Sequence, residues 1–237
     1  MWDGSFFIWK SVTGLDFEFM RECIPLFTEA ALLTLRISAA GILLALLVGM
    51  TVAVIRYFKI PLLSAVAKAY IELSRNTPLL VQLFFMYFGL PKLGLHISGE
   101  TCATLGLAFL GGSYMAEAIR SGIESVPKSQ HESAAALGLT NSQIMRHVLA
   151  PQALTVALPA LLANVLFLIK ETSVFSVCAV PDLMYVAKDL IGLYYKTDES
   201  LWMLVIAYLI ILLPISLFAS ILERRLRHGQ FGDTRSV

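Results

Sequence analysis

The chain has 237 residues, of which 57% are hydrophobic and 15% charged, with a formal net charge of +1. A soluble domain of this size carries about 25% charge, so the composition excludes an ordinary soluble fold. The near-neutral balance, with no basic patch interleaved with aromatics, gives no nucleic-acid partner.

Charge-free stretches run Ile37–Ile55, Asn76–Leu90, Thr101–Ala116, Val148–Ile169 and Leu201–Leu222. A helix needs roughly 20 largely apolar residues to cross a hydrocarbon core. The first, fourth and fifth stretches reach that length unaided. The second and third reach it only if Lys68, Glu72 and Arg75, or Glu117 and Arg120, sit within or beside a span. Runs such as Leu161–Ile169 lack the alternation of a membrane β-barrel. The expected fold class is therefore all-α: a polytopic integral membrane protein with about five transmembrane helices, in a single domain over residues 1–237. Spans are expected near Pro25–Ile55, Pro61–Leu90, Thr101–Ile123, Pro151–Val177 and Leu201–Leu222. Breakers stand at the joints: Pro61, Pro91, Pro127 and Pro181. No signal peptide is expected, since Asp3, Asp16 and Glu18 outnumber Lys10 and no early apolar core precedes a cleavage site. Cys23, Cys102 and Cys178 form no CxxC pair and read as small packing residues. His96, His131, His147 and His228 have no metal-ligand spacing, so no metal site is expected.

Orientation follows from lysine and arginine in the short loops. Arg56, Lys59, Arg120, Lys128, Arg146, Arg224, Arg225, Arg227 and Arg235 fall on one side. Only Lys10, Arg21, Lys92, Lys188 and Lys196 fall on the other. The richer side is expected to be cytoplasmic, with the N-terminus outside and the C-terminus inside.

The connection from Glu124 to Leu149 is more than a linker. Ser129 with Glu132 has capping-box spacing, Ala134, Ala135, Ala136 and Leu137 favour helix, and Gly138 suits a helix C-terminus. A short helix is predicted over Ser129 to Leu139. Thr140 to His147 then leads back to the membrane, and Pro151 stands in the first turn of span four.

These residues resemble a known family. His131 to Gly138, followed by Val148, Leu149, Ala150 and Pro151, is similar to the EAA loop of bacterial ABC-importer permeases. Glu132, Ala134, Gly138 and Pro151 match at the family spacing, while Ser133, Val148 and Ala150 depart from it. Arg75 to Gln82 resembles a segment of permeases for polar amino acids, with Asn76 where glycine or serine is usual. Tyr114 to Glu117, Arg120 to Ile123, Val126 to Gln130 and Lys170 to Ser173 also resemble that subfamily. The likeness covers about residues 25 to 228.

The resemblance implies a translocation subunit that binds no cofactor. It implies a second permease subunit, identical or related, a cytoplasmic dimer of ATPase subunits that hold ATP, and an extracytoplasmic amino-acid-binding protein. It places the chain in the bacterial inner membrane. It implies that a short coupling helix, here Glu132, Ser133, Ala134, Ala136, Leu137 and Gly138, docks on the ATPase. The sequence carries no GxxxxGK[ST] segment, so this chain is not expected to be an enzyme.

Ionisable groups within spans usually face a cavity or a partner. Glu72, Arg75 and Thr77 in span two, with Lys170, Glu171, Thr172 and Ser173 late in span four, form the candidate substrate pathway. Arg75 or Lys170 could take an amino acid's carboxylate, and Glu72 or Glu171 its ammonium. Alternatively these four charges pair with one another and hold spans two and four together. Pro78 should loosen span two and free backbone groups. Glu117 and Arg120 read as structural. Arg36 is expected to snorkel or to face the bundle interior. An ion-gradient-driven secondary transporter of a small polar solute is the alternative function, but such proteins often show two related halves, and no repeat is visible. A scaffold subunit without substrate contacts also stays open.

Overall fold

The computed structural model describes residues 14–230, with side chains as far as Arg225. Asp3, Lys10 and Arg235 therefore lie outside the described residues, as do the side chains of Arg227 and His228. Every regular element among the described residues is helical.

Helix α1, Phe17–Tyr57, starts where Asp16 accepts a hydrogen bond from the Phe19 amide at 3.2 Å. Glu18 in its first turn and Arg56 in its last complement the helix dipole. The predicted start at Pro25 falls short, and Pro25 lies inside the helix. Glu18, Arg21 and Glu22 mask the first turns from a hydropathy reading. Helix α2, Pro61–Arg75, opens on proline, whose missing N–H costs nothing in a first turn. The chain breaks at Asn76, Thr77 and Pro78, then resumes as α3, Leu79–Phe84. The predicted second span is thus two short pieces around Pro78.

Helix α4 runs Gly99–Ser125, and α5 runs Lys128–Ala136. Helix α6, Asn141–Ile144, passes through a π turn, Met145–Leu149, into α7, Ala150–Glu171. A 3-10 segment, Thr172–Cys178, follows. Helices α8, Leu183–Tyr194, and α9, Thr197–Gln230, complete the described chain. The continuous segments Phe17–Tyr57, Gly99–Ser125, Asn141–Cys178 and Thr197–Arg225 are long and apolar enough to cross a membrane. Helix α8 was not predicted. With twelve residues it is too short to cross, and only its buried Leu183, Val186, Ala187 and Leu190 mark an inner face.

A π turn precedes a proline by two residues twice: Phe85–Gly89 before Pro91, and Met145–Leu149 before Pro151. A proline ring collides with the carbonyl four residues earlier. Those residues, Tyr87 and His147, both lie in the widened π turn, which accommodates the ring without ending the helix.

Helix α4 is the most buried span and α9 the least. Small residues let the central spans approach. A Cβ on Gly49 would stand 2.5 Å from the Met115 Cβ and 3.0 Å from the Gly112 carbonyl oxygen, so α1 and α4 touch backbone to backbone. In lipid this close packing replaces the hydrophobic drive available in water. Exposed apolar residues such as Leu62, Ile210, Leu217 and Phe218 face outward.

Candidate translocation and coupling sites

The break in span two is held by side chains that replace lost backbone partners. Thr77 Oγ1 donates to the Leu73 carbonyl at 2.8 Å. Gln82 Nε2 donates to the Ser74 and Thr77 carbonyls at 3.0 and 3.1 Å, and to Thr77 Oγ1 at 2.9 Å. Ser74 Oγ donates to the Phe109 carbonyl at 3.0 Å and lies 3.0 Å from Ser113 Oγ, tying α2 to α4. The loosening expected at Pro78 is present, and Thr77 stabilises it. Helix α3 packs on the 3-10 segment Thr172–Cys178, so the break in span two and the end of span four are neighbours.

Glu72 and Arg75 do not pair with each other. Asn76 Nδ2 donates to the Glu72 carbonyl at 2.7 Å and to its Oε2 at 3.3 Å. Arg75 lies over the Tyr114 ring, 5.1 Å from its centroid, and 3.9 Å from Glu117 Oε2. Tyr114 also packs against Phe167 of α7 at 5.2 Å, and its carbonyl accepts from Asn164 Nδ2 at 3.2 Å. Tyr114 thereby links α2, α4 and α7, a role that sequence reasoning missed. A cation–π partner leaves no fixed spacing in the chain.

Glu117 is the electrostatic hub. It accepts from Arg56 Nη1 of α1 at 2.5 Å and from Arg120 Nη2 at 2.7 Å, and Arg120 Nη1 reaches Glu124 at 2.5 Å. The structural reading of Glu117 and Arg120 fits this geometry. Arg36 is exposed and pairs with Glu100 of α4, so it does not face the bundle interior.

Lys170 is exposed and Glu171 half-buried, and neither makes an ion pair among the described residues. The four candidate charges thus do not pair across spans two and four. Thr172 is fully buried and donates to the Ile169 carbonyl at 2.7 Å, while Ser173 is half-buried. Beyond this segment, in the turn before α8, lies Asp182. Its Oδ1 accepts from the Tyr185 amide at 2.9 Å, whereas its buried Oδ2 makes no hydrogen bond. Burial pushes the Asp182 carboxyl up to about 6, against the opposing pull of backbone N–H groups at the helix start. Beyond α8, Lys196 donates to Asp16 at 2.9 Å, and that bond holds its ammonium above the usual lysine range.

Helix α5 starts one residue before Ser129 and ends at Ala136, three residues short of Leu139, with Gly138 in the expected terminating role. Its N-cap is Pro127, with no side-chain cap, and Ser129 lies inside the first turn. Ser129 and Glu132 therefore form no capping box. The box belongs to α6 instead, where Thr140 and Gln143 bond reciprocally. At the C-terminus, Gly138 adopts φ +79°, its amide donates to the Ala135 carbonyl at 2.9 Å, and the Leu139 amide donates to Ala134 at 3.3 Å. This is a Schellman exit, which glycine enters without strain. Ala134 is buried against Ile144 and Leu149 and anchors the helix. Glu132, Ser133, Ala136 and Leu137 are exposed, Leu137 to 82%.

Four helices long and apolar enough to cross a membrane, a broken span and a short helix displayed at one end are the architecture of a multi-pass membrane protein. Residues 41–228 match the family described as "binding-protein-dependent transport system inner membrane component", and the chain belongs to that family. The probable glutamine ABC transporter permease protein GlnM of Bacillus subtilis is 38% identical over 81% of this chain and 89% of its own length. The glutamine transport system permease protein GlnP of Escherichia coli K12 is 34% identical over 90% and 98%. A chain in the crystal structure of an amino acid ABC transporter with histidines superposes with a TM-score of 0.83 at 34% identity, over 89% of this chain and 99% of that one. The inward-facing MetNI methionine ABC transporter shares the fold, with a TM-score of 0.75 at 18% identity over 86% and 98%. Family membership sets aside the ion-gradient-driven alternative.

Proposed function

We propose that this chain is the permease subunit through which a binding-protein-dependent ABC importer moves polar amino acids. The relatives named for glutamine and amino-acid transport support that substrate class. A second permease subunit, identical or related, completes the pathway. A cytoplasmic ATPase dimer supplies the energy and an extracytoplasmic binding protein delivers the substrate. The end carrying α5 faces the cytoplasm, in line with the excess of lysine and arginine there.

The observation that carries this reading is the geometry of α5. Ala134 is fastened to Ile144 and Leu149, while Glu132, Ser133, Ala136 and Leu137 stand clear on the other face. An exposed leucine flanked by small residues suits insertion into a partner's groove. The anchoring alanine and the fixed turn at Gly138 carry the partner's motion to α6 and α7. On the pathway side, Lys170 and Glu171 make no ion pair among the described residues, and they precede the 3-10 segment that packs on α3 after the break at Pro78. They offer a cation and an anion to a zwitterion, with Thr172 and Ser173 adjacent. Arg75, already engaged by Tyr114 and Glu117, and Glu72, held by Asn76, stand in the second rank with Thr77.

Reconstitution with ATPase and binding protein tests the coupling. Gly138→Pro cannot adopt a positive φ, and Glu132→Ala removes a charge from the displayed face. Both variants should insert normally and lose amino-acid-stimulated ATP hydrolysis. Wild-type stimulation in both would remove α5 as the coupling element.

A further inference from the structure

At the end of the bundle that carries α5 lies a cavity of about 590 Å³ that the transport reading does not use. Its polar wall is basic: Arg56 in the last turn of α1, Lys59 in the α1–α2 connection, Arg120 from α4, and Lys128 and His131 from α5. Glu124 is the carboxylate among the lining residues. Arg56 and Arg120 are committed to Glu117 and Glu124. Lys59 and Lys128 make no ion pair among the described residues, so the cavity holds uncompensated positive charge. Pro127, which caps α5 without a side-chain bond, also lines it. The first turn of this nine-residue helix therefore opens toward the cavity. Uncapped helix amides and two unpaired ammonium groups together make a site for an anion.

The rest of the wall is apolar, with Ala53, Ile123, Val126 and Leu149. The α1–α2 connection and the first turn of α2 beside it expose Phe58, Ile60, Leu62 and Leu63, Leu62 to 78%. A free phosphate ion has no use for such a border. A phospholipid places its phosphate among cations and its acyl chains along apolar surface, and basic pockets between spans at the cytoplasmic side suit anionic head groups. We propose that this cavity binds the head group of an anionic phospholipid from the inner leaflet. The lipid then bridges the α1–α2 turn to the start of α5 and braces the coupling helix against the spans. The inference rests on the proposed orientation, because the anionic leaflet must lie at the α5 end.

The test uses the full chain, co-purified with its ATPase, in nanodiscs of phosphatidylglycerol and phosphatidylcholine. Retained lipid is quantified by mass spectrometry for wild type and for the double variant Lys59→Gln, Lys128→Gln. A juxtamembrane lysine contributes roughly fivefold in affinity for anionic lipid, so losing two should weaken retention about thirtyfold. Lys92→Gln, at the far end of span two, should retain lipid as wild type does and controls for a general loss of charge. Equal phosphatidylglycerol retention in wild type and double variant would overturn the proposal. Displacement by excess inorganic phosphate would also overturn it, by assigning the cavity to a free anion. Gly138→Pro should uncouple ATP hydrolysis without releasing lipid, so failure of the coupling reading and failure of this site read out separately.

Discussion

Replacing Glu117 by glutamine removes one negative charge from the point where three arginines from three helices converge. Arg56 and Arg120 bond it at 2.5 and 2.7 Å, and Arg75 stands at 3.9 Å. Charge-assisted bonds contribute about 1.5–3 kcal/mol each. Partner exposures of 26% and 32%, with 20% for Glu117 itself, call for the lower end of that range. Two close bonds then give about 3 kcal/mol, before any repulsion among the released guanidinium groups is counted. For a chain of this size, each kcal/mol moves the melting temperature by about 2–4 °C, so the expected fall is about 6–12 °C. The assay is intrinsic fluorescence during thermal unfolding in mild detergent. Glu124→Gln is the matched control: the same chemistry on the same helix, but with one partner and 64% exposure, for which less than about 1 kcal/mol is expected. Equal shifts for the two variants would refute Glu117 as the hub joining α1, α2 and α4.

Two further outcomes follow from burial and packing. Asp182 has a carboxyl pushed up to about 6 from an ordinary 3.8 by desolvation. The fold therefore favours its protonated form: that contribution is fully present below 3.8 and is lost as pH rises through 6. Asp182→Asn keeps the helix cap and stays neutral, so above pH 6 it should raise stability by up to about 3 kcal/mol for a two-unit displacement, read as a higher melting temperature. The gain should vanish near pH 4, and a gain independent of pH would exclude this cause. Gly49→Ala should destabilise by about 1–3 kcal/mol, because its Cβ would meet Met115 Cβ at 2.5 Å and backbone at 2.9 Å. Gly192→Ala on α8, with nothing within 4 Å, should be neutral or stabilising, and circular-dichroism melts distinguish the two.

Local rules served well where the cause was local. Pro78 lacks a donor whatever surrounds it, so the break in span two was legible, and Thr77 lies at that break. Gly138 was legible as a helix end because αL geometry favours glycine wherever it occurs. Local rules misplaced the capping box because Ser129 and Glu132 have the required spacing, but Pro127 fixes the preceding backbone and starts the helix one residue earlier. Thr140 with Gln143 carries the same spacing, and there the box forms because no proline precedes it.

The sequence by itself determined which segments are apolar enough to cross a membrane and where proline and glycine interrupt them. Apolar length against bilayer thickness, and proline and glycine chemistry, act on each segment alone. Tertiary structure decided who pairs with whom. Glu72 and Arg75 share a helix face by spacing, yet Arg75 turns to Tyr114 and Glu117 of α4 and Glu72 to Asn76. Ala134 and Leu137 lie in one short run, yet one is sealed against Ile144 and the other stands in solvent. Those choices depend on how closely α1, α2, α4 and α7 approach through Gly49, Ser74 and Ser113, and such distances between helices are not written in the spacing along any one of them.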